Sequence, residues 1–304
     1  MLIYLLRRLV FAVVLVFIVS SAALLLTRLA PGDYATGALG LEAGRERIEE
    51  MRARYGLDRP ILEQYRQWMT GALRFDFGRS LRYDRPVADL IPERAANTAI
   101  LAITALIAAT VIGLPLGIFT GSRRGGFLTA VIRATSIVLL STPPLLTSLF
   151  LVFLAARTGW LPVGGFGTGR HLVIPAAALA LPIAAMFERL QSQAMREVID
   201  ERYVLAAFAR GVPRRRILWR GALKAALRPV TSVYGLVIAT LLSGSFAVEM
   251  VTSWPGLGRL MLEALQGRDV FLVAGCAATG ALFLACGALL SDAALAFVDP
   301  RARE

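Results

Sequence analysis

Six uncharged, mostly apolar runs divide the chain at 9–27, 95–122, 134–156, 171–187, 230–248 and 270–291, and charged residues bracket each of them. At 1.5 Å per helical residue most match a hydrocarbon layer about 30 Å thick, the fourth being the shortest. The pattern predicts an all-α membrane protein with six transmembrane helices and both termini on one side. Arg7 and Arg8 precede the first run. It is long for the apolar core of a signal peptide, and no small-x-small cleavage site follows, so it reads as an uncleaved span. Prolines interrupt several runs: Pro115, the pair Pro143-Pro144, Pro175 and Pro182. They fit either kinks that serve packing or broken helices that line a path. Thr142, Thr147, Ser148, Thr240, Ser243 and Ser245 would give such a path a mildly polar wall.

The segments between the runs are unequal. The first, 30–94, is long and holds two amphipathic patterns. One carries Ile48, Met51 and Tyr55 and ends at Gly56. The other starts near Asp58 and Pro60 and sets Ile61, Leu62, Tyr65, Trp68, Met69 and Leu73 on one side. Together they predict a small helical cap on the outer surface. The segment 188–229 predicts helix, tight turn, helix. Ala206, Ala207 and Ala209 lead to Gly211, suited to a helix C-terminus, and Pro213 to the first turn of the next helix. That helix runs through Ile217, Leu218, Leu223 and Leu227 and is expected to stop before Pro229. Arg210, Arg214, Arg215, Arg216 and Arg220 surround the bend. Two readings fit: a solvated loop facing anionic headgroups, or a bend whose small residues admit another protein surface. Around Glu249, Trp254, Pro255 and Gly256 the pattern suits a re-entrant or interfacial outer loop. The glycines of 164–169 fail dinucleotide spacing, because Arg170 stands in the pattern and no helix signal follows. Asp76-Phe77-Gly78 copies a kinase tripeptide without the rest of a kinase site.

Charge sets the orientation. The net charge is +12 and the pI about 10.8. With the N-terminus in the cytoplasm, inner segments hold 17 basic and 7 acidic residues, and outer segments 16 and 14. Nearly all the excess positive charge then lies on one membrane face, as the positive-inside rule requires. This accounts for the high pI without a nucleic-acid partner. It sets 30–94, 157–170 and 249–269 outside, and 188–229 and both termini inside.

Several chemistries are missing from the pattern. No run carries an Asp, Glu, Lys or Arg well inside it, which argues against an ion-coupled transporter. Lys224 is the single lysine and follows Leu223, so there is no phosphate-binding Gly-Lys-Ser/Thr. Cys276 and Cys286 are about 15 Å apart on a helix, too far for a disulfide. His171 stands at a helix edge without an evident partner. No catalytic set, metal cluster or bound cofactor is expected.

Tyr203-Val204, Ala206-Ala207, Gly211, Arg216, Ala222-Leu223-Lys224 and Leu227-Arg228-Pro229 resemble the "EAA" loop of permease subunits of ATP-binding-cassette importers. Arg28 to Asp33, Gly56 to Pro60, Gln64-Tyr65, Trp68, Phe77 to Ser80 and Arg85 to Val87 resemble the dipeptide/oligopeptide/nickel permease family. So do Glu249, Trp254 to Gly258, Arg268-Asp269 and Asp299-Pro300-Arg301. The long outer segment is similar to that of the first member of the family's permease pair. Arg202, Phe208 and Gly221 depart from the family's usual residues.

The resemblance implies a type I importer permease, with 1–304 a single transmembrane domain, 30–94 an outer cap and 188–229 the coupling loop. Tyr203, Ala206, Ala207, Arg210, Gly211, Val212, Pro213 and Arg214 would contact the ATPase. It further implies a second homologous permease in a heterodimer and two ATPase subunits that use ATP and Mg. A periplasmic or lipid-anchored binding protein would deliver substrate, in the bacterial cytoplasmic (inner) membrane. Peptides are the usual cargo; nickel, glutathione and some sugars also occur. A secondary transporter and a membrane-anchored binding protein are the readings from other classes.

Overall fold

The computed structural model describes residues 2–30, 32–39, 44–74, 76–123 and 125–298. Helices α1 to α5 are Leu2–Leu29, Tyr34–Leu39, Arg45–Arg54, Ile61–Ala72 and Val87–Gly121. Next come α6 to α9, Phe127–Ser141, Pro144–Thr158, Gly169–Ile199 and Arg202–Ala209. α10 (Arg214–Arg216) leads through a π-helical turn, Ile217–Ala222, into α11 (Leu223–Ala226). α12 (Arg228–Val251), α13 (Leu257–Gln266) and α14 (Val270–Val298) follow. The described residues hold no strand, only an isolated bridge between Arg79 and Pro86.

Four helices are each long and apolar enough to cross a membrane: Leu6–Leu29, Val87–Gly121, Gly169–Ile199 and Val270–Leu290. Two bent pairs raise the number to six if each counts as one span, consistent with the six runs. The third run is therefore not one helix. It breaks between α6 and α7, whose axes meet at 108°. Thr142 is extended (φ −99°, ψ 117°), because a residue before proline avoids the α region, and the Pro143-Pro144 pair has no N–H to continue the ladder. The fourth run, expected to be the shortest, belongs to a helix of 31 residues that continues past Phe187 to Ile199. Pro175 and Pro182 lie inside α8 without ending it. Contrary to the sequence reading, the glycine-rich stretch does lead into a helix, and His171 does have a partner. Thr168 caps α8, with its Oγ1 2.9 Å from His171 Nδ1. As expected, the helix ends before Pro229: α11 stops at Ala226 and Leu227 is a turn residue. The chain then bends by 46° and Pro229 enters the first turn of α12, where its missing N–H costs nothing.

The chain forms two compact units. One comprises 1–99 and 255–285, the other 100–254 and 286–304. In the first, Val87 and Ile91 of α5 pack with Leu257 and Leu260 of α13 and Leu272 of α14. Trp68 of α4 joins Leu24 of α1 and Ala274 of α14. The buried face of α4 is rotated from the expected one. Ile61, Leu62 and Leu73 are exposed, while Gln64 is buried and bonded to Arg28 and to the Arg59 carbonyl. Apolar spacing alone does not register a buried amide that has found partners.

The second unit is built on α8. Gly113, Gly117 and Gly121 recur every four residues along α5 and face it. A Cβ at these positions would lie 2.5 Å from the Ala184 carbonyl, 2.6 Å from Gln191 Cβ and 2.6 Å from the Ser192 carbonyl. The two backbones therefore touch, which suits helix association where lipid removes the hydrophobic drive and close packing must supply it. Phe187 stacks on Tyr234 of α12 with centroids 5.0 Å apart.

Candidate functional site

The segment after α8 is assembled on the end of that helix. Ala194, Met195, Val198 and Ile199 of α8 pack with Leu218, Ala222 and Ala226. Val204 is fully buried and anchors α9. The opposite side of α9 is left open. Tyr203 and Leu205 are about half exposed, Ala206 is exposed and Ala207 half-buried. α9 ends in hydrogen bonds from Gly211 N to the Phe208 carbonyl (3.0 Å) and from Val212 N to the Ala207 carbonyl (3.2 Å). This closure needs Gly211 at φ +76°, a left-handed value that a residue with a Cβ resists. Pro213 then starts the next helix, as expected. Arg210, Pro213, Arg215 and Trp219 are exposed around the bend; the side chains of Arg214 and Arg220 lie outside the described residues. Exposed Tyr203, Leu205 and Trp219 amid arginines form a mixed apolar and cationic surface of the kind proteins use for contact.

Most of the hydroxyls considered for a path bond back to carbonyls of their own helices. Thr147 and Ser148 are buried and bond back to the Pro143 and Leu145 carbonyls. Thr142 bonds to the Val138 carbonyl and Thr240 to that of Val237. The Ser243 side chain lies outside the described residues. Ser245 donates to Glu249 Oε1 at 3.0 Å, and both are buried. After α12 a short turn, 252–256, leads into the amphipathic helix α13. In the second unit Trp254 is buried against Phe166, at 5.3 Å. In the first, the Pro255 carbonyl accepts from Asn97 Nδ2 at 3.0 Å, and Gly256 precedes Leu257, whose N–H reaches Thr98 Oγ1 at 2.8 Å.

A second cluster, in the first unit, was not read as chemistry from the sequence. Asp269 is fully buried. Its carboxylate accepts from Ser80 Oγ (2.5 Å), Arg82 N (3.1 Å) and Leu272 N (3.1 Å). Beside it, Tyr83 Oη donates to Glu263 Oε2 at 2.7 Å, and Arg259 Nε to Glu263 Oε1 at 3.0 Å. Burial pushes the Glu263 carboxyl up, but these two donors outweigh it and hold the group below its usual range. Burial and the same carboxylate push the Tyr83 phenol up. Two short motifs nearly 190 residues apart are thus one clamp, holding 80–83 to α13 and to the start of α14. The remaining early motif is also a joint: Asp33 accepts from Arg52 Nε at 2.6 Å. Arg52 and Thr36 hold its carboxyl low against burial.

Among the described residues no three His, Cys, Asp or Glu side chains are arranged to hold a metal. Long apolar helices and an exposed helix-turn-helix bend define a multi-pass membrane protein. Residues 113–304 match the model of the binding-protein-dependent transport system inner membrane component. Residues 1–102 match that of the family's N-terminal membrane component. The chain belongs to this family, and within it to the dipeptide/oligopeptide/nickel permeases. It is 30% identical to the oligopeptide transport system permease protein AppB of Bacillus subtilis, with 98% of both chains covered. It is 33% identical to the glutathione transport system permease protein GsiC of Shigella flexneri, over 88% of each. A probable peptide permease protein, y4tP, of Sinorhizobium fredii is 32% identical over 99% of each.

Proposed function

We propose that this chain is one of two non-identical permease subunits of an ATP-driven peptide importer in the bacterial cytoplasmic membrane. The observation that carries the reading is the bend from α9 through Gly211 to Pro213: small, exposed, conformationally set by glycine and rimmed with arginine. ATP and Mg are used by separate ATPase subunits, two of which would need two such bends and hence a second permease. The cap over 30–94 receives a periplasmic or lipid-anchored binding protein, and the path lies between the two permeases. Peptide cargo is favoured because two of the relatives above are named for peptides or oligopeptides. Glutathione, itself a small peptide, is the second choice. Vesicles holding both permeases and the ATPases, supplied with binding protein outside and ATP inside, are expected to accumulate labelled oligopeptide only with ATP. Equal flux without the ATPases would instead identify a secondary transporter.

The same proposal fixes the topology, with both termini and the bend in the cytoplasm. A single cysteine at 215 on a cysteine-free background is expected to resist a membrane-impermeant maleimide in intact cells and to react after permeabilisation. A cysteine at 62, on the exposed side of α4, is expected to react at once. Labelling of 215 from outside would invert the orientation.

A further inference from the structure

Beside the inner half of α8 lies a hollow lined by Arg133 and Ile137 of α6 and by Glu188, Arg189, Ser192 and Arg196 of α8. Arg133 is held in place. Its guanidinium donates to the Thr120 carbonyl at 3.0 Å, and its Nε is buried without a hydrogen-bond partner. Arg196 donates to Ser192 Oγ at 2.9 Å, and Arg189 is exposed. Two carboxylates share this region, and both are otherwise engaged. Glu188 is buried and accepts from Thr120 Oγ1 at 2.5 Å, while Glu197 accepts from Gln193 at 3.0 Å. Neither makes an ion pair with the three arginines among the described residues.

Depth along α8 makes the cluster informative. Glu188 lies 19 residues from the helix start at Gly169, which is about 28 Å and the edge of a hydrocarbon layer about 30 Å thick. Arg196 stands about 12 Å further, in the headgroup zone. Ile137, one turn beyond Arg133 on α6, and Val138 are more than half exposed. Three guanidinium groups at headgroup depth, with an open aliphatic surface next to them and deeper, match an anionic amphiphile. Guanidinium forks fit phosphate oxygens, and basic pockets between helices on the cytoplasmic side suit acidic headgroups.

We propose that this hollow binds the phosphate of an anionic inner-leaflet phospholipid, phosphatidylglycerol or cardiolipin, with an acyl chain lying along Ile137 and Val138. The inference rests on the topology proposed above for its leaflet, though not for its chemistry. A bound lipid would tie α6 to α8 close to where α8 hands over to α9.

The test uses the assembled transporter, purified in mild detergent and titrated with phosphatidylglycerol or phosphatidylcholine under native mass spectrometry. Phosphatidylglycerol is expected to be retained preferentially. Arg189→Gln and Arg196→Gln, both at exposed positions, are each expected to lower its retention about fivefold. Arg157→Gln, at an exposed arginine ending α7, is expected to leave retention unchanged. A photo-crosslinker at Ile137 is expected to capture lipid. Equal retention of the two lipids, crosslinking of Ile137 to the partner permease instead, or thermal stabilisation by inorganic phosphate equal to that by phosphatidylglycerol would each overturn the proposal. Sidedness does not enter a detergent measurement, so its failure leaves the topology standing, and a failed topology leaves its result standing.

Discussion

Ala206→Asp is expected to reduce retention of the ATPase subunits by about 30-fold or more and to abolish ATP-driven uptake. Ala206 is exposed on α9, so the chain alone folds without noticing the change. In the assembled transporter the carboxylate would have to enter a contact shaped for a methyl group, and Arg210 one turn on, at the exposed rim, would offset only part of its desolvation. Such a burial costs roughly 2–5 kcal/mol at an interface, which is about 30- to several-thousand-fold in binding. Gly211→Val is expected to give the same phenotype for a different reason. No atom lies within 4 Å of a Cβ built there, so the loss would not come from a clash. It would come from φ +76°, where a β-branched residue is strained, so that α9 and α10 are presented at a different angle. Arg210→Ala, at an exposed rim position, should cost less than about 1 kcal/mol and chiefly alter salt dependence. Pull-down of the ATPases from detergent extracts and uptake in vesicles read out all three. If the alanine and glycine variants behave as wild type and only arginine removals hurt, the bend faces lipid headgroups.

The second large effect is expected at Asp269. Asp269→Ala would strand the Ser80 hydroxyl and the Arg82 and Leu272 N–H groups, donors to a buried carboxylate. Each buried donor left unpaired costs about 1–3 kcal/mol. About 3 kcal/mol of local loosening corresponds to a roughly 100-fold larger population of the open form. Trypsin added to the outer face is then expected to cut within 79–85 about 100-fold faster, and binding-protein-stimulated ATP hydrolysis to fall. Asp269→Asn, which keeps the shape and one acceptor, is expected to be intermediate. Unchanged cleavage in the alanine variant would mean that the clamp does not hold 80–83 in place.

Much of this architecture is legible in uncharged run lengths, because the bilayer imposes a length and forbids unpaired charge. Helix ends are less so. α8 runs on to Ile199 because its far end carries Glu188, Arg189 and Arg196, which close the uncharged run without breaking the helix. The break at Thr142 was signalled by Pro143-Pro144, but whether a proline pair kinks a helix or separates two is decided by surrounding packing. At the candidate site, Gly211 and Pro213 announced the bend because backbone conformation is a local property. Val204 as its anchor was not announced, since burial depends on α8 and on the π-helical turn. The Asp269 clamp was invisible as chemistry for the same reason. Its members are separated by most of the chain, and no spacing rule connects Ser80 with a carboxylate beyond nine further helices, α5 to α13.

That clamp also bears on engineering. The proposed outer cap, 30–94, is contiguous in sequence and so invites exchange between relatives to change which binding protein is accepted. Yet Ser80 and Arg82 close on Asp269, and residues 1–99 form one compact unit with 255–285. A graft carrying only 30–94 would bring a foreign hairpin to a resident carboxylate. Chimaeras therefore need two donor segments, and natural drift at 80 and 269, which meet through their side chains, should be correlated.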